Sequence, residues 1–535
     1  MPRYSARWLV SFFLLCFFIV EGALPDFTVK IPMRDGFELN TDLYFPSKET
    51  SQSQRMYPCI LLRSPSGRHG AWESFYDLAQ LGYVIAVQET RSVSDKEGKT
   101  LPFLSDGWGE RQDGYDTIEW LAKSPYTNGK VGTWGASAMG ITQHLLAPSR
   151  PPHLVCQYIL VAAPSLYHHA IFPGGRLLKN QTEWWLRYYA HDPGILHDIS
   201  QRSQYDCFWE QMDATKLAKQ VNVPAMHIAG WYDTFLTGSI EGFMTRQLQG
   251  GPQARGRQKL VIGPWTHFWP LTQQLGDFQV PASGVNIPFD ISPQRWFAHY
   301  LGGIDNGVEQ LPAVIYYVMG PFDGSPSTGN VWKTAEQWPI PSTPVSYYLT
   351  PTKTLSPSLP DSSSFTYSYD PNHPIPTLGG HNLFLPSGPV DQGPIEMRED
   401  LCVFSSAPMD EDVEITGTPS VTLWVASQGR ETDIIVHLTD RYPDGRSILV
   451  GEGMRRVEWT LSEHGQKQVQ ISLNPTSLVF AKGHAIGVSV SSSSFPRYEK
   501  SHPFSAHCPR IENTIFFGRE TPSRLQLPVI QRSDP

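Results

Sequence analysis

Ser137 lies in a sequence context that could turn its hydroxyl into a nucleophile. Residues 130–134 have the apolar pattern of a strand, which runs into Gly-Ala-Ser-Ala-Met-Gly at 135–140, and a helical pattern follows. A serine on a tight turn between a strand and a helix projects its hydroxyl above the sheet, at a helix N-terminus that favours developing negative charge. The usual motif has glycine two positions after the serine, whereas here Met139 stands there and Gly140 follows. Alone, the motif is equally consistent with an ordinary strand-to-helix turn.

Two later segments supply candidate partners for this serine. Asp233 follows a strand-like run at 225–229, in the sequence AGWYDTF, and His267 follows another at 260–262, in GPWTH. Both residues are therefore expected on loops just past strand ends, where a parallel sheet places its reactive groups. The chain order Ser, Asp, His is that of α/β-hydrolases, and the first interval leaves room for an insertion. The three positions together predict a catalytic triad.

The role of each residue follows from the chemistry of acyl transfer. A serine hydroxyl is a poor nucleophile until a base removes its proton. His267 is the predicted base, and later the acid that protonates the leaving group, while Asp233 would hold its tautomer and stabilise the imidazolium. The backbone N–H of Ala138 would donate one hydrogen bond to the oxyanion. Such a triad needs no cofactor, and we predict none.

The elements that must position these residues alternate between strand and helix. Strand-like runs at 57–63 and 83–88 and a helical pattern at 113–122 predict a parallel sheet with helices on both faces. A Trp- and Tyr-rich stretch with helical periodicity interrupts this pattern, and after residue 341 short β-rich runs recur between turns. We predict the α/β fold class, with a signal peptide at 1–23, an α/β-hydrolase domain at 24–164 and 215–341, a small helical cap at 165–214, and a C-terminal jelly-roll β-sandwich domain at 342–535.

The first 23 residues have the features of a secretory signal peptide. Arg3 and Arg7 supply positive charge, residues 8–20 are almost entirely apolar, and residues 21–23 offer a cleavage site. The alternative is a signal anchor that stays in the membrane, but the apolar run is short for a span. No later segment is long and apolar enough to cross a bilayer. We therefore predict a secreted, extracellular protein without a stable membrane span.

Composition excludes several classes of partner. A net charge of −9 offers nothing to recruit phosphate backbones, so we predict no nucleic-acid partner and expect a small ester or amide substrate. His168 and His169 have no accompanying ligands at metal-binding spacing, so no metal is predicted. The sequence does not indicate an oligomeric state.

The cysteines do not follow a disulfide framework, because an odd number remains after the signal peptide and the spacings are wide. Cys59 and Cys156 lie in apolar strand-like runs and are predicted to be buried free thiols, and one bridge among the other cysteines remains an alternative. Asn180, in Asn-Gln-Thr, is the predicted glycosylation site, because the other candidate sequence contains proline.

Three segments carry a resemblance to a known family. Gly-Ala-Ser-x-x-Gly at 135–140, Gly-Trp-Tyr-Asp-x-Phe at 230–235 and Gly-Pro-Trp-x-His at 263–267 resemble those of the cocaine esterases, α-amino-acid ester hydrolases and Xaa-Pro dipeptidyl peptidases. The likeness extends over nearly the whole mature chain, including VSVSSSSFPRY at 488–498. It implies a hydrolase domain, a helical cap and a C-terminal jelly roll.

The resemblance also implies a substrate pocket. In the family, aromatic residues and residues of the jelly roll line an acyl pocket, and four residues fall at matching places here: Trp185, Phe235, Leu383 and Phe384. Plain core packing is the alternative for each of them.

Two departures from the family pattern concern the oxyanion. The family usually has a tyrosine after Arg-x-Pro, whose hydroxyl is the second oxyanion donor, and another tyrosine after the nucleophile; here Ser66 and Ala138 stand at those positions. Ser66 keeps a hydroxyl but reaches less far. Because loss of one oxyanion donor lowers kcat by roughly 10²–10³-fold, the sequence predicts a slow enzyme, a recruited water, or another donor from the same loop.

The main hypothesis is a serine hydrolase that cleaves carboxylic esters, or amides, through an acyl-enzyme on Ser137. A dipeptidyl peptidase or an α-amino-acid ester hydrolase is the first alternative, but a dipeptidyl peptidase needs an acidic anchor for the substrate amine. The candidates are unsupported cap residues: Glu183, Asp192, Asp198 and Glu210. A catalytically weak binding protein that retained the fold is the alternative from another class.

Overall fold

The computed structural model describes residues 24–46, 56–68, 73–94, 101–189, 194–268, 272–459, 465–501 and 510–531. The predicted signal peptide at 1–23 and Cys508 lie outside these ranges. Within them the chain forms a mixed sheet flanked by helices and then a β-rich region, which confirms the predicted α/β fold class.

A ten-stranded sheet positions the candidate residues. The strands up to residue 335 are, in chain order, β1 (Phe27–Pro32), β2 (Glu38–Tyr44), β3 (Tyr57–Ser64), β4 (Val84–Glu89), β5 (Thr127–Ala136), β6 (Leu154–Leu160), β7 (Ala225–Tyr232), β8 (Gln258–Thr266), β9 (Gln274–Leu275), β10 (Phe278–Gln279), β11 (Val314–Val318) and β12 (Val331–Ala335). The sheet order is β1-β2-β4-β3-β5-β6-β7-β8-β11-β12, while β9 and β10 form a separate ribbon.

The middle of this sheet is parallel. Strands β3 to β8 and β11 pair in parallel, whereas β1, β2 and β12 add antiparallel edges. All residues of β4, β7 and β8 are buried, because helices cover both faces and the strands can be apolar without alternation. The carboxyl ends of β5, β7 and β8 therefore open onto one edge.

The helices follow the strands as a parallel sheet requires. They are α1 (Glu73–Gln80), α2 (Arg91–Ser94), α3 (Asp113–Lys123), α4 (Ala138–Leu146), α5 (Lys179–Tyr189), α6 (Gly194–Gln201), α7 (Cys207–Glu210), α8 (Leu236–Gln249), α9 (Ala282–Val285), α10 (Pro293–Tyr300) and α11 (Gly393–Glu396). Helix α10 was predicted at 295–301 and begins earlier, because Ser292 caps it: its hydroxyl accepts the Arg295 N–H at 3.3 Å.

The insertion between β6 and β7 carries α5, α6 and α7. Its two ends meet at an antiparallel bridge between Ser165 and Asp213, and the Ala214 N–H donates to Pro164 O at 2.9 Å. The Asp206 carboxylate accepts the Phe208 N–H at 3.0 Å and so caps α7. The insertion is thus closed at its base and helical above it.

The β-rich region comprises β13 (Thr343–Leu349), β14 (Leu355–Ser356), β15 (Ser363–Tyr369), β16 (Cys402–Ser405), β17 (Val413–Gly417), β18 (Ser420–Ser427), β19 (Glu431–Arg441), β20 (Ser447–Glu458), β21 (Lys467–Ser472), β22 (Thr476–Phe480), β23 (Ala485–Ser491), β24 (Ile511–Phe517) and β25 (Arg524–Val529). They form a nine-stranded and a four-stranded sheet, which we call the β-domain. Met319, just after β11, pairs with β22: its N–H donates to Ser477 O at 2.9 Å.

The described cysteines are free thiols. Cys59 and Cys156 are buried, as predicted, and burial raises the pKa of both thiols. Cys207 and Cys402 also form no disulfide within the described part of the chain.

Candidate active site

Ser137 occupies a strained turn between β5 and α4. Its φ of 55° and ψ of −125° lie outside the regions that residues other than glycine normally adopt. The surroundings hold it there: its N–H donates to Leu160 O at 3.0 Å, and its carbonyl accepts the N–H groups of Gly140 and Ile141 at 2.8 and 2.9 Å. Neighbouring β6 and the first turn of α4 therefore maintain the turn that presents the hydroxyl.

The two glycines of the motif allow α4 to pack closely on the sheet. A Cβ atom at Gly140 would overlap the Cβ of Ala162, just after β6, and one at Gly135 would lie 2.5 Å from the Cβ of Met139. Gly135, the first glycine of the usual motif, makes room for Met139, and Gly140 makes the close approach to Ala162.

We expect Gly140→Ala to destabilise the protein by about 1–3 kcal/mol, because the added methyl has no space against Ala162. Denaturant unfolding measures the loss, and ester hydrolysis should fall with it as α4 moves. Gly451→Ala is the matched control, since its nearest neighbour to a new Cβ would be Asn474 O at an ordinary 3.5 Å. Equal stability of the two variants would contradict this explanation of the motif.

Glycines also have a packing role in the motifs at 230–235 and 263–267, which carry Asp233 and His267. Between β7 and β8 the register pairs Gly230 with Gly263 and Tyr232 with Thr266, so two residues of β8 oppose one of β7. A Cβ at Gly230 would overlap the carbonyl oxygen of Trp265, which lies in this bulge, and one at Gly263 would overlap the Trp265 ring. Such bulges redirect strand ends next to active sites. Here the bulge lies just before Asp233 on one strand and His267 on the other.

The structure brings the three predicted residues together in a hydrogen-bonded chain. His267 Nδ1 lies 2.6 Å from Asp233 Oδ1, and His267 Nε2 lies 3.0 Å from Ser137 Oγ. Asp233 and His267 are buried, with 0% and 2% exposure, which excludes water from the bond between them. The Phe235 ring packs edge-on against the imidazole of His267, with the ring centroids 5.6 Å apart. This geometry can move a proton from the serine hydroxyl to Nε2 while the aspartate accepts the Nδ1–H.

The first predicted oxyanion donor has suitable surroundings. Ala138 is buried and is the first residue of α4. The first N–H groups of a helix have no intrahelical acceptor, and the N-terminus of a helix carries partial positive charge. The Ala138 N–H is therefore placed beside the nucleophile and available to an oxyanion.

The second predicted donor, Ser66, lies in the turn after β3. Its side chain is exposed, and its hydroxyl lies 2.9 Å from that of Ser64. The strand end before it is firmly held: Ser64 O accepts the Thr90 N–H at 3.1 Å, and the hydroxyl of Thr142 on α4 donates to Arg63 O at 3.2 Å. The turn is thus tied to the nucleophile helix, and an oxyanion role for Ser66 stays a prediction.

A buried ion pair also holds the end of β3. Arg63 is 2% exposed, forms an ion pair with Asp106 and donates from Nε to Gln88 Oε1 at 2.7 Å. A planar guanidinium held by two side chains keeps one geometry. Sequence reasoning noted Arg63 only as part of Arg-x-Pro, and nothing in the sequence indicated that Asp106 would be its partner.

Three of the four predicted pocket residues share one buried apolar cluster with Ala138, the residue after the nucleophile. Trp185 and Phe235 belong to one buried apolar cluster with Ala138, and Phe384 of the β-domain packs against it. Leu383 is buried outside that cluster and lines a separate small crevice with Leu178 and Asn180.

Phe103 is a member of this cluster that sequence reasoning missed. Its ring stacks on Trp185 with centroids 4.9 Å apart and planes at 15°, and it is 1% exposed. Its φ of 75° is unusual for a bulky residue, so the ring is placed at the cost of backbone strain in this loop. The segment around it has no periodic pattern, so no local signal indicated that Phe103 would join this cluster.

The remaining predicted features have no catalytic contacts. Asn180 is half-buried in α5 and donates its backbone N–H to Pro496 O at 3.2 Å, and Thr182 of the sequon is buried. Glycosylation there stays a prediction. Within the described residues no group of three or more His, Cys, Asp or Glu side chains could hold a metal ion, and no helix is long and apolar enough to cross a membrane.

Family models match most of the chain. The model of the X-Pro dipeptidyl-peptidase S15 family matches residues 35–191 and 178–269, and the model of the X-Pro dipeptidyl-peptidase C-terminal non-catalytic domain matches residues 306–526. The S15 family is a family of serine hydrolases. Together with the fold, these matches define the chain as a serine hydrolase of the α/β-hydrolase class.

Individual relatives agree with this assignment. The chain is 29% identical to the cocaine esterase of Rhodococcus sp. (strain MB1 Bresler), over 94% of this chain and 98% of that protein. It shares its fold with an aminopeptidase from the marine sediment archaeon Thaumarchaeota archaeon, with a TM-score of 0.78 and 21% identity over 96% of this chain and 99% of that one. It also shares its fold with an α-amino-acid ester hydrolase, with a TM-score of 0.77 and 21% identity over 96% of this chain and 98% of that one. The chain belongs to the cocaine esterase, α-amino-acid ester hydrolase and X-Pro dipeptidyl-peptidase family.

Proposed function

We propose that this protein hydrolyses carboxylic esters through an acyl-enzyme on Ser137. The observation that carries the proposal is the hydrogen-bonded chain from Ser137 Oγ through His267 to Asp233. The names of the relatives, a cocaine esterase and an α-amino-acid ester hydrolase, support ester substrates for this chain.

The reaction follows from the geometry. Ser137 Oγ attacks the ester carbonyl carbon as its proton passes to His267 Nε2, and the charged carbonyl oxygen accepts a hydrogen bond from the Ala138 N–H. The intermediate collapses, the bond to the alcohol breaks, and His267 returns the proton to the leaving oxygen. Water then attacks the acyl-enzyme by the same route and releases the acid. Asp233 keeps Nδ1 protonated throughout and stabilises the imidazolium.

Hydrolysis of p-nitrophenyl acetate, butyrate and benzoate by the purified protein tests the proposal. We expect turnover of at least one ester, at a modest rate because Ser66 replaces the longer donor of the family. An inactive protein that also fails to react with a fluorophosphonate would favour the binding-protein alternative, because such labelling requires an activated serine.

We propose that the acyl pocket is apolar and aromatic, with Trp185 and Phe235 as its walls. Replacing Trp185 by leucine should lower kcat/KM for the benzoate about ten-fold more than for the acetate, because the larger acyl group loses more apolar contact. Trp209→Leu is the matched control, since Trp209 belongs to the same buried cluster but packs on Tyr167 and Phe172 rather than on Phe103 as Trp185 does. If Trp185→Leu leaves the ratio of kcat/KM for benzoate to kcat/KM for acetate unchanged, Trp185 does not form a wall of the acyl pocket.

Two of the four acidic candidates in the insertion are already paired with a lysine, which disfavours them as anchors for a substrate amine, and Asp192 lies outside the residues that the structure describes. Glu183 forms an ion pair with Lys179, and Glu210 pairs with Lys216 at 3.0 Å. A carboxylate that already has a cation on the same segment is a poor anchor for a substrate amine.

We further propose that the protein is secreted and glycosylated at Asn180. Support for secretion comes from the charged and apolar pattern of residues 1–23. N-terminal sequencing of protein from the medium of expressing cells should find the mature chain starting near residue 24. A gel shift on deglycosylation that Asn180→Gln abolishes would support the glycan, and no shift in the wild type would contradict it.

A further inference from the structure

The end of β7 is hydrogen-bonded to the β-domain immediately before Asp233. The carbonyl of Trp231 lies at the bulge, between the last two register pairs of β7 with β8. His381, from the segment after β15, donates its Nε2–H to this carbonyl at 2.8 Å. The next residue is held in the same way: the Tyr232 hydroxyl donates to Leu449 O at 2.9 Å. Both residues that precede the candidate acid therefore bond to the β-domain.

His381 is itself held rigidly. It is 0% exposed, and its ring lies 5.5 Å from that of Tyr232. Its backbone N–H donates to Glu452 Oε1 at 2.9 Å, and its carbonyl accepts a hydrogen bond from Arg497. Arg497 also donates to Asn382 Oδ1 at 2.6 Å. Because both the backbone N–H and the carbonyl of His381 are hydrogen-bonded, its imidazole has little freedom to turn away from Trp231.

The anchor is a buried charge network. Glu452 and Arg497 are 4% and 6% exposed, and the closest approach between their charged groups is 3.6 Å. Burial alone would raise the pKa of Glu452, but the charge of Arg497 and the contacts with His381 hold that pKa well below its usual range. Buried ion pairs add little stability relative to apolar residues of the same shape. Such a network is better explained by what it positions.

We propose that His381 is a positioning residue for Asp233, so that the β-domain, whose family description is non-catalytic, sets the geometry of the catalytic acid. The proposal rests on the proposed function, because it requires that Asp233 acts in the triad. A bulge is a place where a strand end can take more than one direction, and the imidazole selects one. A displacement of about 1 Å in such a site can lower the rate about 100-fold.

The test compares two substitutions at one position. His381→Leu keeps the volume and removes the N–H donor, and we expect kcat for p-nitrophenyl butyrate to fall about 10- to 100-fold with KM little changed. His381→Gln places an amide N–H near the position of Nε2 and should recover most of the loss. If His381→Leu does not fold, His381→Asn serves in its place, because its amide is polar but too short to reach Trp231.

The rate at each active site separates positioning from mere loss of stability. A displaced Asp233 supports less well the positive charge that develops on His267 in the transition state, so kcat per active site, with sites counted by exhaustive fluorophosphonate labelling, should fall in His381→Leu and return in His381→Gln. A variant that is only less stable would contain fewer active sites but keep the wild-type kcat at each of them.

His437 provides the matched control. It is a second buried histidine of the β-domain beside Glu452, with Nε2 at 3.9 Å from Oε2, and within the described residues its ring nitrogens make no hydrogen bond. His437→Leu should leave kcat per active site unchanged. The inference is overturned if His381→Leu matches wild type, if His381→Gln is as impaired as His381→Leu, or if His437→Leu has the same effect. In each case an active wild type and an inactive Ser137→Ala leave the proposed function standing, whereas an inactive wild type overturns both.

Discussion

Replacing Ser137 by alanine is expected to lower kcat for p-nitrophenyl butyrate by about 10⁶-fold, to the level that binding and the oxyanion donors alone can support. The physical reason is that the acyl-enzyme cannot form without this hydroxyl, which lies 3.0 Å from His267 Nε2. Initial rates at saturating ester, with enzyme at high concentration, measure the residual activity.

The control for this substitution is a second buried serine. Ser239, on α8, is 3% exposed and donates its hydroxyl to Ala162 O at 3.0 Å. Ser239→Ala removes one hydroxyl and one hydrogen bond but leaves the triad intact, so its kcat should stay within a few-fold of wild type. Residual activity of Ser137→Ala above about one hundredth of wild type would mean that another group is the nucleophile.

Replacing Asp233 by asparagine should lower kcat by about 10⁴-fold at neutral pH. The buried carboxylate accepts the Nδ1–H of His267 at 2.6 Å, which leaves Nε2 free to accept the serine proton. An amide in the same place can donate to Nδ1 instead, so the imidazole adopts the wrong tautomer and its protonated form loses a neighbouring negative charge. Rates measured across the pH range should show the loss throughout the neutral region.

Asp440 offers a control with the same chemistry. Asp440 and His484 form a second buried aspartate–histidine pair, with Oδ1 and Nδ1 3.0 Å apart, in the β-domain. Asp440→Asn breaks an equivalent charge interaction, and the protein should become less stable with little change in kcat. If Asp233→Asn and Asp440→Asn reduce kcat equally, Asp233 contributes to folding rather than to catalysis.

The sequence predicted the parts of the site that local rules govern. A strand, small residues and a helix around Ser137 predict an elbow because the turn itself requires them, and the positions of Asp233 and His267 follow from the rule that parallel strands end at one edge. The apolar runs at 83–88, 225–229 and 260–262 predict strands for a related reason: β4, β7 and β8 are buried on both faces, so their middles need no alternation of polar and apolar residues.

What the sequence did not reveal depends on contacts between distant segments. The bond from His381 to Trp231 joins residues 150 positions apart, and neither side chain has a local pattern that predicts it. Phe103 joins the apolar cluster through a backbone with positive φ, in a segment without periodicity. Leu383, placed in the pocket by resemblance alone, lies outside the apolar cluster and lines a small crevice with Leu178 and Asn180.

The glycines show both a signal that is visible in the sequence and a packing reason that only the structure reveals. Gly140 was visible in the sequence as a departure from the usual motif, but the reason for it became clear only when Ala162 was found against it. Gly230 and Gly263 belong to the motifs that carry the family resemblance, and the structure shows why: the backbone and ring of Trp265 occupy the space that their side chains would need.

The most direct test of the account is to incubate the purified protein with a fluorophosphonate and locate the modified residue by peptide mass spectrometry. The account predicts stoichiometric modification of Ser137, abolished in Ser137→Ala, strongly slowed in Asp233→Asn and unchanged in Ser239→Ala, because only a serine activated by His267 attacks phosphorus at a useful rate. Modification of a different residue, or none under conditions in which the protein is folded, would contradict the claim that Ser137, His267 and Asp233 form a working triad.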